Sequence, residues 1–60
     1  MRHNILIVDD EQLIRQGLRA RIEYLGIDVD EMFEADNGLM ALGIQDAHPI
    51  DLVITDICMP

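Results

Sequence analysis

The sequence has no lysine and no tryptophan, and it holds one cysteine, one tyrosine and one phenylalanine among sixty residues. Each shortage excludes something. The single thiol, Cys58, can close no disulfide within the chain and cannot build a multi-cysteine zinc site. Four arginines against twelve acidic residues leave a formal charge of −8. That balance argues against direct nucleic-acid contact by this segment, because phosphate binding needs a basic patch. No stretch approaches the ~18 consecutive apolar residues of a membrane span, and no signal peptide is visible. A cytoplasmic location without membrane contact is therefore expected. With so few aromatics, Ile, Leu, Val and Met must fill any core. The chain makes at most one domain, and a marginal one, since a chain of this size buries only about 60% of the surface it exposes when unfolded.

What the sequence does have is a regular succession of apolar patterns. Ile5-Leu6-Ile7-Val8 runs without polar alternation, as in a strand buried on both faces of a parallel sheet. It ends at Asp9-Asp10. From Glu11 onward the period becomes helical, with Leu13, Ile14, Leu18, Ile22 and Leu25 expected in the core and Arg15, Arg19 and Glu23 elsewhere. Asp10 and Glu11 stand where acids cap and favour a helix start, and Gly26 stands where helices stop. After the polar stretch 28–31, residues 32–35 (Met-Phe-Glu-Ala) predict a short second strand, followed by a turn at Asn37-Gly38. A second helix is expected over 39–47, weakened by Gly43. Its apolar residues Leu39, Met40, Leu42 and Ile44 wrap around much of the cylinder, which suggests a buried or partner-covered surface. His48-Pro49 ends it, and Leu52 to Thr55 predict a third strand leading to Asp56.

This β-α-β-α-β order with short connections predicts an α/β fold with parallel strands and right-handed crossovers. In such a sheet all strands end at one edge, so Asp9, Asp10 and Asp56 are expected to converge there. Three neighbouring carboxylates repel one another, and a hard divalent cation relieves the repulsion. Oxygen ligands in an incomplete protein shell suit Mg²⁺ better than a calcium cage. An isolated acid at a strand end is commonly just solvated. It is the combination with Asp9, Asp10 and Met59-Pro60 that favours a site. His3 and His48 have no companion ligands and read as surface residues. Cys58 reads as a tolerated variation, because neighbouring acids disfavour a thiolate.

The segments "ILIVDDE", "ADNG" and "DLVITDICMP" together resemble the receiver domain of two-component response regulators, over the length of the chain. The opening "ILIVDDEQLIRQGLR" further resembles receivers attached to AraC-type DNA-binding regulators. The resemblance implies a flavodoxin-like, doubly wound parallel sheet, of which the chain carries the N-terminal β-α-β-α-β half. It implies that Asp56 is the phosphoacceptor, modified by a sensor histidine kinase or a small phosphodonor. It also implies that Asp9, Asp10, Asp56 and the backbone carbonyl of Cys58 hold Mg²⁺. The protein would then be a signalling module rather than an enzyme, with DNA bound through a separate output domain.

Residues 1–60 depart from the full pattern, which has strand order 2-1-3-4-5. They match its first three strands and two helices, a truncated receiver. The Ser or Thr after the fourth strand and the Lys after the fifth have no counterpart here. Metal binding and phosphorylation are therefore expected to be weak or lost in the chain alone. The third strand would present an unpaired apolar edge, so self-association, as a homodimer or larger assembly, is expected to complete the sheet. Two alternatives remain open: an associating half-domain without phosphoryl chemistry, and a phosphatase of the haloacid-dehalogenase type. The second would want Asp-x-Asp after an apolar strand, which Asp9-Asp10-Glu11 does not supply.

Overall fold

The computed structural model describes residues 3–55. Five elements follow in the order β1 (His3–Val8), α1 (Gln12–Leu25), β2 (Val29–Ala35), α2 (Gly38–Ala47) and β3 (Leu52–Thr55). The strands form one sheet in the order β2-β1-β3, and both pairings are parallel. The apolar run at the start thus becomes the central strand, where no polar alternation is tolerated.

Side chains leave a strand alternately to its two faces, and on β1 each set meets a different helix. Ile5 and Ile7 pack with Ile22 of α1, with Leu18, Val29, Met32 and Ile54 around them. Leu6 packs with Ala35 and with Ala41 of α2, surrounded by Val8, Phe33, Ile44 and Ile50. Ile5, Leu6 and Ile7 are fully buried. The sheet is therefore covered on both faces, and each helix lies on its own side.

Register is set at the N-terminal edge as well as by the core. The Asn4 N–H donates to Asp51 Oδ2 at 2.8 Å, Asn4 Nδ2 donates to the Pro49 carbonyl at 2.7 Å, and the Asp51 N–H donates to the Asn4 carbonyl at 2.9 Å. These bonds seat the entry to β3 against β1. From there Ile5 pairs with Leu52 and Val8 with Thr55, while Val8 pairs on its other side with Ala35. All three strands end level.

Two expectations need correction. Strand β2 begins at Val29 rather than Met32, taking in Asp30 and Glu31. An edge strand leaves such side chains in solvent, and the register irregularity between His3 and Asn4 absorbs one residue of β2. Of the five α1 residues expected in the core, only Ile22 is buried and Leu18 partly so; Leu13 is 79% exposed, and Ile14 and Leu25 are also exposed. The apolar stripe of α1 is wider than the strip that the sheet covers, and Arg15, expected away from the apolar face, turns inward instead. On α2, Ala41 is buried and Ile44 packs beside it, while Leu39 and Leu42 are open to solvent.

The boundaries otherwise follow the sequence signals. Gly26 ends α1 with φ 72°, the left-handed conformation that a C-terminal glycine supplies. Asn37 caps α2, its side chain accepting the Met40 N–H at 2.7 Å. His48 closes α2 in an extended conformation, with its ring stacked on Phe33 at 4.6 Å between centroids. No described helix is long and apolar enough to cross a membrane.

Candidate functional site

The level strand ends place the candidate site. Asp9 follows β1 directly, and its N–H still belongs to the sheet, donating to the Ala35 carbonyl at 3.0 Å. Only 8% of Asp9 is exposed. Its Oδ1 accepts the Glu11 N–H at 2.8 Å. Its Oδ2 is buried and has no hydrogen-bond partner among the described residues. Asp10, the next residue, is exposed.

Glu11 corrects the capping assignment made from the sequence. It occupies the N-cap position of α1, but its side chain makes no capping hydrogen bond. The carboxylate that engages the start of the helix belongs to Asp9, two residues earlier. A short Asp side chain reaches an N–H two residues ahead, which a longer Glu does less readily.

Around Asp9 lies an ion network that the sequence reading did not single out. Arg15, one turn into α1, donates from Nη1 to the Asp9 carbonyl at 2.5 Å and from Nε to Glu34 Oε1 at 3.1 Å. Glu34 Oε2 accepts from Arg19 Nη1 at 2.9 Å. Glu34 pairs in register with Ile7, so it rises on the same face as Ile7, beneath α1. The spacing of Arg15 and Arg19, one helical turn apart, was the available signal. Its partner on β2 could not be found without the strand pairing. Asp36, which follows β2 as Asp9 follows β1, is exposed and accepts from its neighbour Asn37 Nδ2 at 2.9 Å.

Asp56 and Cys58 lie outside the described residues. What the structure fixes is the strand leading to Asp56: Thr55 pairs with Val8, so the end of β3 adjoins the end of β1. Asp9 and Asp10 are brought together at that rim. Among the described residues, no three His, Cys, Asp or Glu side chains are grouped so as to hold a metal ion. The donors that are described are oxygens, and one of them, Asp9 Oδ2, is buried without a donor. That set fits a hard cation such as Mg²⁺.

Comparison with known proteins agrees with this geometry. Residues 5–60 match the family model of the response regulator receiver domain. The probable transcriptional regulator ycf27 of Cyanidium caldarium is 48% identical over 58 residues, covering 97% of this chain and 22% of that protein. An uncharacterized response regulatory protein of Staphylococcus epidermidis is 41% identical over 56 residues, covering 93% of this chain and 22% of the relative. The transcriptional regulatory protein HptR of Staphylococcus aureus is 39% identical over 56 residues, with the same coverage. No solved structure matches significantly.

The chain belongs to the response regulator receiver domain family. Its three parallel strands in the order β2-β1-β3, with a helix on each face, are the N-terminal part of the flavodoxin-like receiver fold. It spans about a fifth of the length of these curated relatives.

Proposed function

We propose that residues 1–60 form the phosphoacceptor-bearing segment of a receiver, contributing its first three strands and two helices. In this reading Asp56 takes a phosphoryl group from a sensor histidine kinase and thereby controls an output domain. Transcription is the output that the names of the ycf27 and HptR relatives support. The segment itself would touch no DNA, which is left to the output domain, and it would work in the cytoplasm. It would be the substrate of the kinase rather than an enzyme with turnover of its own.

The observation that carries the reading is the pairing of Val8 with Thr55. It sets the buried Asp9 carboxylate beside the strand that leads into Asp56. A carboxylate oxygen of Asp56 would bond to phosphorus as the donor's bond to phosphorus breaks. The donor leaves with that electron pair, and an acyl phosphate remains on Asp56. Asp9, Asp10, Asp56 and the Cys58 carbonyl are the groups that would hold Mg²⁺. When bound, the ion would offset negative charge on the phosphoryl oxygens. Asp9 can serve because its Oδ1 is already occupied by the Glu11 N–H, which orients the carboxylate and leaves Oδ2 available.

A small phosphodonor with Mg²⁺, followed by intact-mass measurement, tests the proposal. A hydroxylamine-labile phosphate adduct that is lost in Asp56→Asn is expected. Steady turnover of a phosphate ester would point to a phosphatase instead. Absence of any adduct would favour the second reading, a half-domain that only associates. That reading draws on the exposed apolar side chains of Leu39, Leu42, Leu52 and Val53.

A further inference from the structure

We propose that Arg15 is a positioning residue for the Asp9-Asp10 turn, held in place by Glu34, and that this clamp sets how tightly the turn takes a divalent cation. The inference rests on the receiver reading for the identity of the ligand, and on the geometry of β1, α1 and β2 for everything else.

Arg15 is not an ordinary solvent-facing helix residue. Its side chain is 15% exposed, and taking a guanidinium that far out of water is unfavourable unless its donors are used. They are used. Nε donates to Glu34 and Nη1 to the Asp9 carbonyl. Because the guanidinium is a rigid planar fork, fixing Nε on the Glu34 carboxylate also fixes the direction in which Nη1 points. Glu34 is itself held from its other oxygen by Arg19. The chain of contacts therefore runs from β2, through two turns of α1, to the peptide joining Asp9 and Asp10.

At Asp9 the polar groups are assigned one by one. The N–H goes to Ala35, the carbonyl to Arg15, and Oδ1 to the Glu11 N–H. Oδ2 alone has no partner among the described residues, although the residue is more than nine-tenths buried. A buried charged acceptor without a donor is costly, and a cation answers that cost. Arg15 does not answer it, since its hydrogen bonds go to the Asp9 carbonyl and to Glu34. The Glu34 carboxylate also offsets the positive charge of Arg15, so the clamp fixes the turn without cancelling its attraction for a cation.

The test uses the full chain with Arg15→Met, Arg15→Lys and Glu34→Gln. Two quantities are read: Mg²⁺ affinity by calorimetric titration, and hydrogen exchange of the Glu11 amide without metal. Partners one step removed from a metal typically change its affinity by 10- to 100-fold, so Arg15→Met is expected to weaken Mg²⁺ binding about tenfold. It should also speed Glu11 exchange while helix content by circular dichroism is retained. Arg15→Lys, which keeps a donor and a charge but no fork, should restore part of both. Glu34→Gln keeps the shape and one acceptor; it should fall between wild type and Arg15→Met, and it carries the test if Arg15→Met fails to fold. Unchanged affinity in the variants of a Mg²⁺-binding wild type overturns the clamp and leaves the receiver reading intact. Tighter binding in Arg15→Met also overturns it, because charge repulsion would then outweigh positioning. A wild type that binds no Mg²⁺ overturns the cation role of the clamp, even if its Glu11 amide is protected, and leaves membership of the receiver family untouched.

Discussion

The Asp9 carboxylate accepts the Glu11 N–H at 2.8 Å through one oxygen, while its other oxygen is buried with no partner among the described residues. One side chain thus offers two separable contributions, a local hydrogen bond at the helix start and a charge available to a ligand. Asp9→Asn keeps an acceptor for Glu11 and removes the charge. It should hold the urea midpoint without metal at or above wild type, because a buried charge without a donor is relieved, and abolish the stabilisation that Mg²⁺ gives. Asp9→Ala removes both, and the lost hydrogen bond alone should cost about 1 kcal/mol. Urea melts of each variant with and without Mg²⁺ provide the check, because a ligand that binds only the folded state raises stability in proportion to the logarithm of one plus the ratio of its concentration to its Kd. Equal Mg²⁺ stabilisation in Asp9→Asn and wild type would remove Asp9 from the site.

Ile22 and Leu13 look equivalent in the apolar pattern of α1, yet the fold treats them oppositely. Ile22 is 5% exposed between Ile5 and Ile7, and Leu13 is 79% exposed. Truncating a buried Ile to Ala typically costs about 2–5 kcal/mol through lost transfer energy and a residual cavity. In a chain of sixty residues that is enough to unfold most molecules. Leu13→Ala should stay within about 0.5 kcal/mol of wild type. Denaturant midpoints for the two variants distinguish this burial pattern from one in which the whole stripe is packed.

That contrast shows where the sequence was informative. Strand β3 and the end of α1 at Gly26 were readable to the residue, because a short apolar run bounded by acids and a glycine at a left-handed position are local signals. The parallel β2-β1-β3 sheet was foreshadowed by the uninterrupted apolar run of β1. The inward face of α1 was not readable. Periodicity fixes which residues share a side, but here the apolar stripe exceeds the covered strip. The position of that strip depends on Glu34 of β2, which draws Arg15 and Arg19 toward the sheet. In the candidate site, Asp9 and Asp10 were found from their place after the first strand. Arg15 and Glu34 were missed because their partnership spans nineteen residues and exists only once the strands have paired.

The glycines give a prediction with two signs. An added Cβ would meet no atom within 4 Å at Gly17, Gly26 or Gly43, so any effect of alanine there comes from the backbone. Gly26 has φ 72°, where an L-residue is disfavoured by about 1–2 kcal/mol, and Gly26→Ala should destabilise by that amount. Gly17 and Gly43 lie inside helices. Alanine there should stabilise by about 0.5–1 kcal/mol at each position. Thermal melts of the three single variants measure this directly. A gain in stability for Gly26→Ala would mean that α1 does not end in the left-handed cap.

Two exposed surfaces are candidates to carry the self-association proposed for the isolated chain. Strand β3 pairs with β1 along one edge, and no described strand lies on its other edge. Leu52 and Val53 are partly open beside it. On α2, Leu39 is 83% exposed with Leu42 on the next turn. An open strand edge is a template for another strand, and a lysine on such an edge opposes pairing. An apolar helix face instead associates by burial of its side chains and is blocked by an added charge at its centre. Sedimentation velocity of wild type over a wide concentration range should therefore show a rising mean mass. Val53→Lys should return the chain to monomer if pairing runs through β3, with Leu39→Glu leaving association in place, and the reverse result would assign the contact to α2. A wild type that sediments as a monomer at every concentration excludes both, and the exposed apolar side chains would then be tolerated by the free chain at the cost of its stability alone.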